Sequence, residues 1–155
     1  MKNIGAKGIC IAHHRDDAVE TLLMNLLRGA GIHGLTGIRP KNDYVIRPLL
    51  CLSRKEIIEY LDSIDQNYVT DSSNLVDDVL RNKIRLRVVP LLEEIAPGAT
   101  ANIDKTANYL REAEKVFDKE ISCEINVLNV DAGEVLITNL LKLPSPSVFL
   151  HEWLS

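Results

Sequence analysis

An apolar run from Gly8 to His13 (Gly-Ile-Cys-Ile-Ala-His) passes directly into a periodic segment that ends near Arg28, and this step most constrains the fold. A short buried strand feeding a helix is the repeating unit of α/β architectures. At about 100° per residue, Val19, Leu22, Leu23, Leu26 and Leu27 recur on one side of the helix, while His13, Asp17, Glu20 and Arg28 share a narrow arc opposite. One face is expected to anchor and the other to work. Open parallel sheets gather ligands at the carboxyl ends of their strands. His13 at the strand end and Asp17 in the first helical turn would both stand there. Ordinary solvated faces mix Lys and Glu, so a His/carboxylate/Arg arc in this position reads as a site.

Composition narrows the class. The 155 residues, 46% of them hydrophobic, suffice for the core of one ordinary domain or two small ones. A net charge of -4 argues against a uniformly basic nucleic-acid coat and leaves room for a local basic patch. Cys10, Cys51 and Cys123 are odd in number and have no CxxC spacing, which points to reduced thiols in a cytosolic setting, with Cys10 in the core. No apolar run reaches the length of a membrane span, and the start Met-Lys-Asn-Ile-Gly lacks a signal-peptide core, so the expected location is cytoplasmic, away from membranes.

Beyond Arg28, glycines at 29, 31, 34 and 37 end the helix and make a tight or mobile loop ahead of the extended run Tyr44 to Leu50. The loop leaves a helix instead of entering one, so it is not a nucleotide-binding GxGxxG. Ser53-Arg54-Lys55-Glu56 is a capping box opening a structural helix with Ile57, Ile58, Leu61 and Ile64 as its apolar positions. After the polar loop Asp71-Ser72-Ser73-Asn74 comes a helix with Arg81 and Arg85 one turn apart and Ile84, Val88, Leu91, Leu92 and Ile95 as its buried stripe. Taken alone, the two arginines also read as a solvated face relieved by Asp77 or Asp78. Pro90 should kink or break this helix, and Ala96-Pro97-Gly98 ends it, placing a domain boundary near Pro97. Residues 99 to about 128 form a long helical pattern, Val135 to Ile137 a short strand, and Ser147 to Leu154 the start of a helix in which Phe149 and Trp153 pack. There is no internal repeat or low-complexity segment.

Taken together, these motifs resemble one family. His-His-Arg-Asp-Asp-Ala-Val-Glu-Thr followed by Leu-Leu-Arg-Gly-Ala-Gly, then Arg47-Pro48-Leu49-Leu50, the Ser-Arg-Lys-Glu helix start, Asp71-Ser72-Ser73-Asn74, Arg81-Asn82-Lys83-Ile84-Arg85 and Pro90-Leu91-Leu92, are similar in order and spacing to the tRNA(Ile)-lysidine synthetases. The tail, Leu143-Pro144 into Phe149-Leu150-His151-Glu152-Trp153-Leu154, is similar to the start of that family's middle domain. The resemblance implies a PP-loop ATP pyrophosphatase. Residues 1–97 would be the C-terminal part of an adenine nucleotide alpha-hydrolase-like domain, a partial doubly wound parallel sheet. Residues 98–155 would begin a small, mainly helical domain that contacts tRNA, and a homodimer is allowed.

The activity so implied uses ATP and magnesium to adenylate the wobble cytidine of tRNA(Ile), after which free lysine displaces AMP to give lysidine. By position in the matching motifs, the resemblance carries over His13, Asp17, Glu20, Asn74 and Arg85 as site residues. Arg28 and Arg81 stand in second rank, and Asp17 or Glu20 is the magnesium ligand. In this scheme Asp17 and Glu20 meet the lysine ammonium or the metal, Arg85 meets phosphate charge, and His13 and Asn74 orient by hydrogen bonds, with His14 structural. Two other classes stay open on the residues alone. One is a metal-dependent phosphohydrolase using His13, Asp17 and Glu20, and the other is a non-catalytic RNA-binding or assembly module.

The chain departs from the family in one respect: no Ser-Gly-Gly-x-Asp-Ser phosphate loop occurs in it. An internal piece of a longer synthetase, inactive alone, is the expectation. The purified chain should therefore show no ATP-dependent lysine incorporation into tRNA above blank, and incorporation above blank would contradict it.

Overall fold

Among the described residues few are spent on strands and most on helices. A computed structural model describes residues 5–69, 80–128 and 135–154. In chain order the elements are β1 (Ile9–Cys10), α1 (Arg15–Leu27), α2 (Ile32–Leu35), β2 (Lys41–Asn42), β3 (Val45–Ile46) and α3 (Arg54–Ser63). They continue with α4 (Leu80–Lys83), a π turn (Ile84–Val88), α5 (Val89–Ile95), α6 (Ala99–Val127), α7 (Ile137–Leu140) and α8 (Pro146–Leu154). Two compact units result, Met1–Arg111 and Glu112–Ser155. The expected boundary at Pro97 coincides with the start of α6, whereas the first unit extends along that helix to Arg111. No helix among the described residues is long and apolar enough to cross a membrane.

The sheet is α/β in style and mixed in direction, with strand order β1-β3-β2. β1 runs parallel to β3, with Ile9 opposite Val45 and Cys10 opposite Ile46, and β2 pairs with β3 as an antiparallel hairpin. Asp43 takes the positive φ of 49° that the two-residue turn needs, a conformation that Asp tolerates better than most side chains. Only Ile9 and Cys10 of the expected Gly8–His13 strand pair as such, and the expectation that they are buried is wrong. Ile9 is 47% exposed, Ile46 is 41% exposed, and Cys10 is an exposed free thiol instead of a core residue. Three two-residue strands offer too little face for the described helices to cover.

The loop after α1 is tightly built. Asn25 Nδ2 donates to Gly34 O at 2.8 Å, and any side chain at position 34 would collide with Ala30. On α1 itself, the buried residues are Ala18, Val19, Glu20 and Leu22, while Leu26 and Leu27 lie open. Val19 and Leu22 of the apolar face are thus packed as expected, Glu20 of the acidic arc is packed as well, and the last turn of the leucine face is not. The expected kink at Pro90 is also corrected. The chain remains helical from Leu80 to Ile95, and the π turn before α5 places Pro90 in that segment's first turn, where a missing N–H costs little. Ile84 is fully buried, but Leu91 and Ile95 of the expected stripe are exposed.

Helix α6 follows Gly98, which adopts φ 87°. The Glu93 carboxylate accepts from Gly98 N (2.8 Å) and Thr100 N (2.7 Å), satisfying donors at the helix start. In the second unit, Phe149 is fully buried and stacks on Trp153 at a centroid distance of 6.5 Å, as the sequence suggests. The strand expected at Val135 to Ile137 is absent: Ile137 opens the short helix α7. Lone apolar triplets of this kind carry no period by which to tell strand from helix.

Candidate active site

The site forms where the N-terminal end of α1 meets the α4–π–α5 helix. His14 caps α1 in extended conformation, and its backbone N–H donates to Asp17 Oδ2 at 3.0 Å. Arg15 ties this end to the start of α3, since its Nη2 donates to Cys51 O (2.6 Å) and Glu56 Oε2 (3.1 Å), and its backbone N–H donates to Leu52 O. Glu56 also completes the expected capping box, accepting from Ser53 N at 2.7 Å while Ser53 Oγ accepts from Glu56 N. Asp16 Oδ2 accepts from Arg54 N at 2.6 Å, in the first turn of α3. Two acidic side chains in one helical turn therefore serve different elements.

Glu20 is the centre. It is 2% exposed, and Arg85 grips it with a two-pronged fork, Nε to Oε1 at 2.6 Å and Nη2 to Oε2 at 2.9 Å. Such forked guanidinium–carboxylate pairs are the strong, directional kind. Arg85 Nη2 also stands 3.4 Å from Asp17 Oδ1. Arg81 adds a contact of 3.3 Å from Nε to Glu20 Oε2, and its Nη2 donates to Thr21 Oγ1 at 2.8 Å. The i,i+4 repulsion between the two arginines is thus relieved by a shared carboxylate. Glu20 is the first cause raising the Arg85 pKa above its ordinary value. An open cavity of about 190 Å³ adjoins the cluster, lined by His14, Asp16, Val19, Glu20, Arg54, Arg85, Val89 and Thr100.

Of the residues singled out in the sequence, Asp17, Glu20, Arg81 and Arg85 come together. His13 makes a different contact: its Nδ1 accepts from Arg47 Nε at 3.1 Å. Arg28 is the C-cap of α1, exposed and about 16 Å along the axis from Asp17, so the expected arc does not gather it. Asn74, like Asp77 and Asp78, lies outside the described residues. Sequence reasoning missed Thr21 and Arg47 as partners of site residues. Both stood in motifs already quoted, Arg47 in Arg-Pro-Leu-Leu and Thr21 at the end of His-His-Arg-Asp-Asp-Ala-Val-Glu-Thr.

Magnesium requires free oxygens at about 2.0–2.1 Å in octahedral array. Both Glu20 oxygens are held by guanidinium groups, and Asp17 Oδ2 is held by the His14 amide. Among the described residues no group of three or more His, Cys, Asp or Glu is arranged to hold a metal. In this cluster both Glu20 oxygens are thus taken, and Asp17 Oδ1, 3.4 Å from Arg85 Nη2, is the oxygen of that pair left for a cation.

Residues 1–92 match the PP-loop domain family. The chain belongs to the PP-loop family. Among curated relatives, the tRNA(Ile)-lysidine synthase of Bacteroides thetaiotaomicron is 47% identical over 150 residues, covering 97% of this chain and 35% of that protein. That of Parabacteroides distasonis is 43% identical over 153 residues, covering 99% and 35% respectively. A more distant relative of the same name, from Caldanaerobacter subterraneus, is 39% identical over 135 residues, covering 81% and 28%. The chain thus spans about 35% of the length of the first two relatives.

The start of α1 in this PP-loop chain carries a pH-sensitive contact. Asp16 Oδ2 stands 3.4 Å from His14 Nδ1 and is the first cause holding the imidazole above its ordinary 6.5, against the desolvation that lowers it. The same contact leads in holding Asp16 below its ordinary 3.8, with the Arg54 amide assisting. The raised His14 value contributes stability in full below pH 6.5 that is lost as pH rises through the folded value. The lowered Asp16 value contributes stability above pH 3.8 that is lost as pH falls through its folded value. Asp16→Asn should therefore cost more stability at about pH 5.5 than at about pH 8 in urea unfolding, and should lower the His14 midpoint followed by NMR. An equal cost at both pH values, with an unmoved midpoint, would rule the contact out.

Proposed function

We propose that this chain is a segment of a tRNA(Ile)-lysidine synthase, comprising the C-terminal part of the ATP-using PP-loop domain and the beginning of a helical domain that contacts tRNA. In this reading residues 1–97 belong to a partial doubly wound sheet and residues 98–155 to the helical part. The whole enzyme would use ATP to adenylate the wobble cytidine of tRNA(Ile) in the cytoplasm, and free lysine would then displace AMP. The observation that carries the assignment of roles is the fork of Arg85 on Glu20, with Asp17 beside it.

The two carboxylates have different work. Both Glu20 oxygens are committed, so Glu20 orients Arg85 and Arg81. Asp17 Oδ1, 3.4 Å from Arg85 Nη2, would meet an ammonium or take a proton from the attacking amine, with Asp16 as the aspartate that lines the adjoining cavity. The adjoining cavity suits an amino acid, because Val19 and Val89 can flank an aliphatic stem while Arg54 or Arg85 meets its carboxylate. Arg85 would share charge with a phosphate once the substrate draws Asp17 away.

The test is a chimaera in which this chain replaces the matching 150 residues of the Bacteroides thetaiotaomicron relative. Lysine incorporation into tRNA(Ile) that depends on ATP should persist, and Asp17→Asn in the chimaera should lower turnover by about a hundredfold or more. A folded chimaera that makes no lysidine would contradict the assignment to this enzyme. Full turnover after Asp17→Asn would remove Asp17 from the chemistry.

A further inference from the structure

We propose that Arg47 is a positioning residue that fixes the tautomer of His13, so that His13 serves the site as a hydrogen-bond donor and not as a base. Guanidinium nitrogens only donate. The contact of 3.1 Å between Arg47 Nε and His13 Nδ1 therefore requires a lone pair on Nδ1 and, in the neutral ring, the proton on Nε2. A ring in that state cannot take a proton at Nδ1 without losing its partner, and Nε2 already carries one. What it presents is a single N–H, suited to a phosphoryl or carbonyl oxygen.

The placement is held from several sides. Arg47 follows β3 directly and precedes Pro48, which keeps its backbone extended. Its N–H donates to Pro40 O at 2.8 Å, and Nη1 donates to Arg39 O at 2.9 Å. Three anchors on one residue leave the guanidinium little freedom, and the planar fork serves His13 and the Arg39 carbonyl together in a way a lysine ammonium does not. β1 and β3 are the parallel pair, with Ile11 N donating to Ile46 O at 2.9 Å, so their carboxyl ends bring His13 and Arg47 side by side. The inference rests on the reading of His13 as a site residue only for its consequence in catalysis, since the tautomer is testable by itself.

Long-range ¹⁵N–¹H correlation spectra of the histidine-labelled chain, with the His13 signals assigned by His13→Gln, read the tautomer directly. The wild type should show His13 with a bare Nδ1 and a proton on Nε2. Arg47→Ala, or Arg47→Met should the alanine variant unfold, should turn this into a tautomer mixture. His13 found with its proton on Nδ1, or on both nitrogens at neutral pH, would overturn the proposal, as would an unchanged pattern in the folded variant. In the chimaera Arg47→Ala should lower turnover about tenfold, and no further on a His13→Gln background. Additive losses would overturn the route through His13. A chimaera without any activity would remove the synthase reading and leave the tautomer result standing.

Discussion

Glu20 is a carboxylate with almost no access to water, and the arrangement of the first unit is governed by how that charge is met. An ionised group in such a place costs several kcal/mol unless its oxygens are met by donors of opposite charge. Arg85 supplies a fork and Arg81 a further contact, and both come from a helix more than sixty residues downstream. Helix α1 is therefore fixed to the α4–π–α5 helix by charge as well as by Val19 and Ile84, the fully buried apolar side chains of these two helices. An apolar pair of similar volume could hold two helices at least as well. Stability alone gives no reason for the charges, and a site does.

The π turn and the capping of α1 serve the same end. A π turn widens the helix by one residue and shifts the register of the turns after it. Here it carries Arg85 itself, comes directly after the turn that bears Arg81, and hands the chain to Pro90 where no amide donor is missed. At the other side, Asp17 closes the first turn of α1 on the His14 amide, which holds one carboxylate oxygen still while the other faces Arg85. Asp16 and Arg15 fasten that turn to the start of α3. The acidic cluster is thus divided by geometry into oxygens held by amides or guanidinium forks and an Asp17 oxygen that faces Arg85.

Much of this was legible in the residues. The capping box at Ser53, the span of α6 and the start of α8 follow from period and motif, whereas Asp17, Glu20, Arg81 and Arg85 are brought together as site residues through the family resemblance, and the residues alone leave the two arginines as readily on a solvated face. What pattern could not supply was that Glu20 of the acidic arc is packed along with Val19 and Leu22. A helical wheel assigns the leucines inward by default, but a buried ion pair inverts that rule at Glu20, and only the partner helix reveals it. The same holds for Cys10 and Ile9, which are apolar in sequence yet exposed, because burial depends on what lies over a sheet and not on the strand alone. Pro90 broke no helix because the π turn absorbed it, a solution with no local sequence signature.

The central claim is that Glu20 and Arg85 act as one unit, and a double-mutant cycle in urea unfolding tests it most directly. Glu20→Gln and Arg85→Met should each destabilise by about 3 kcal/mol, because each leaves a buried partner uncompensated. The double variant should recover a large share, with a coupling of about 2 kcal/mol or more. Losses that add to within about 0.5 kcal/mol would show two independent side chains and would contradict the account.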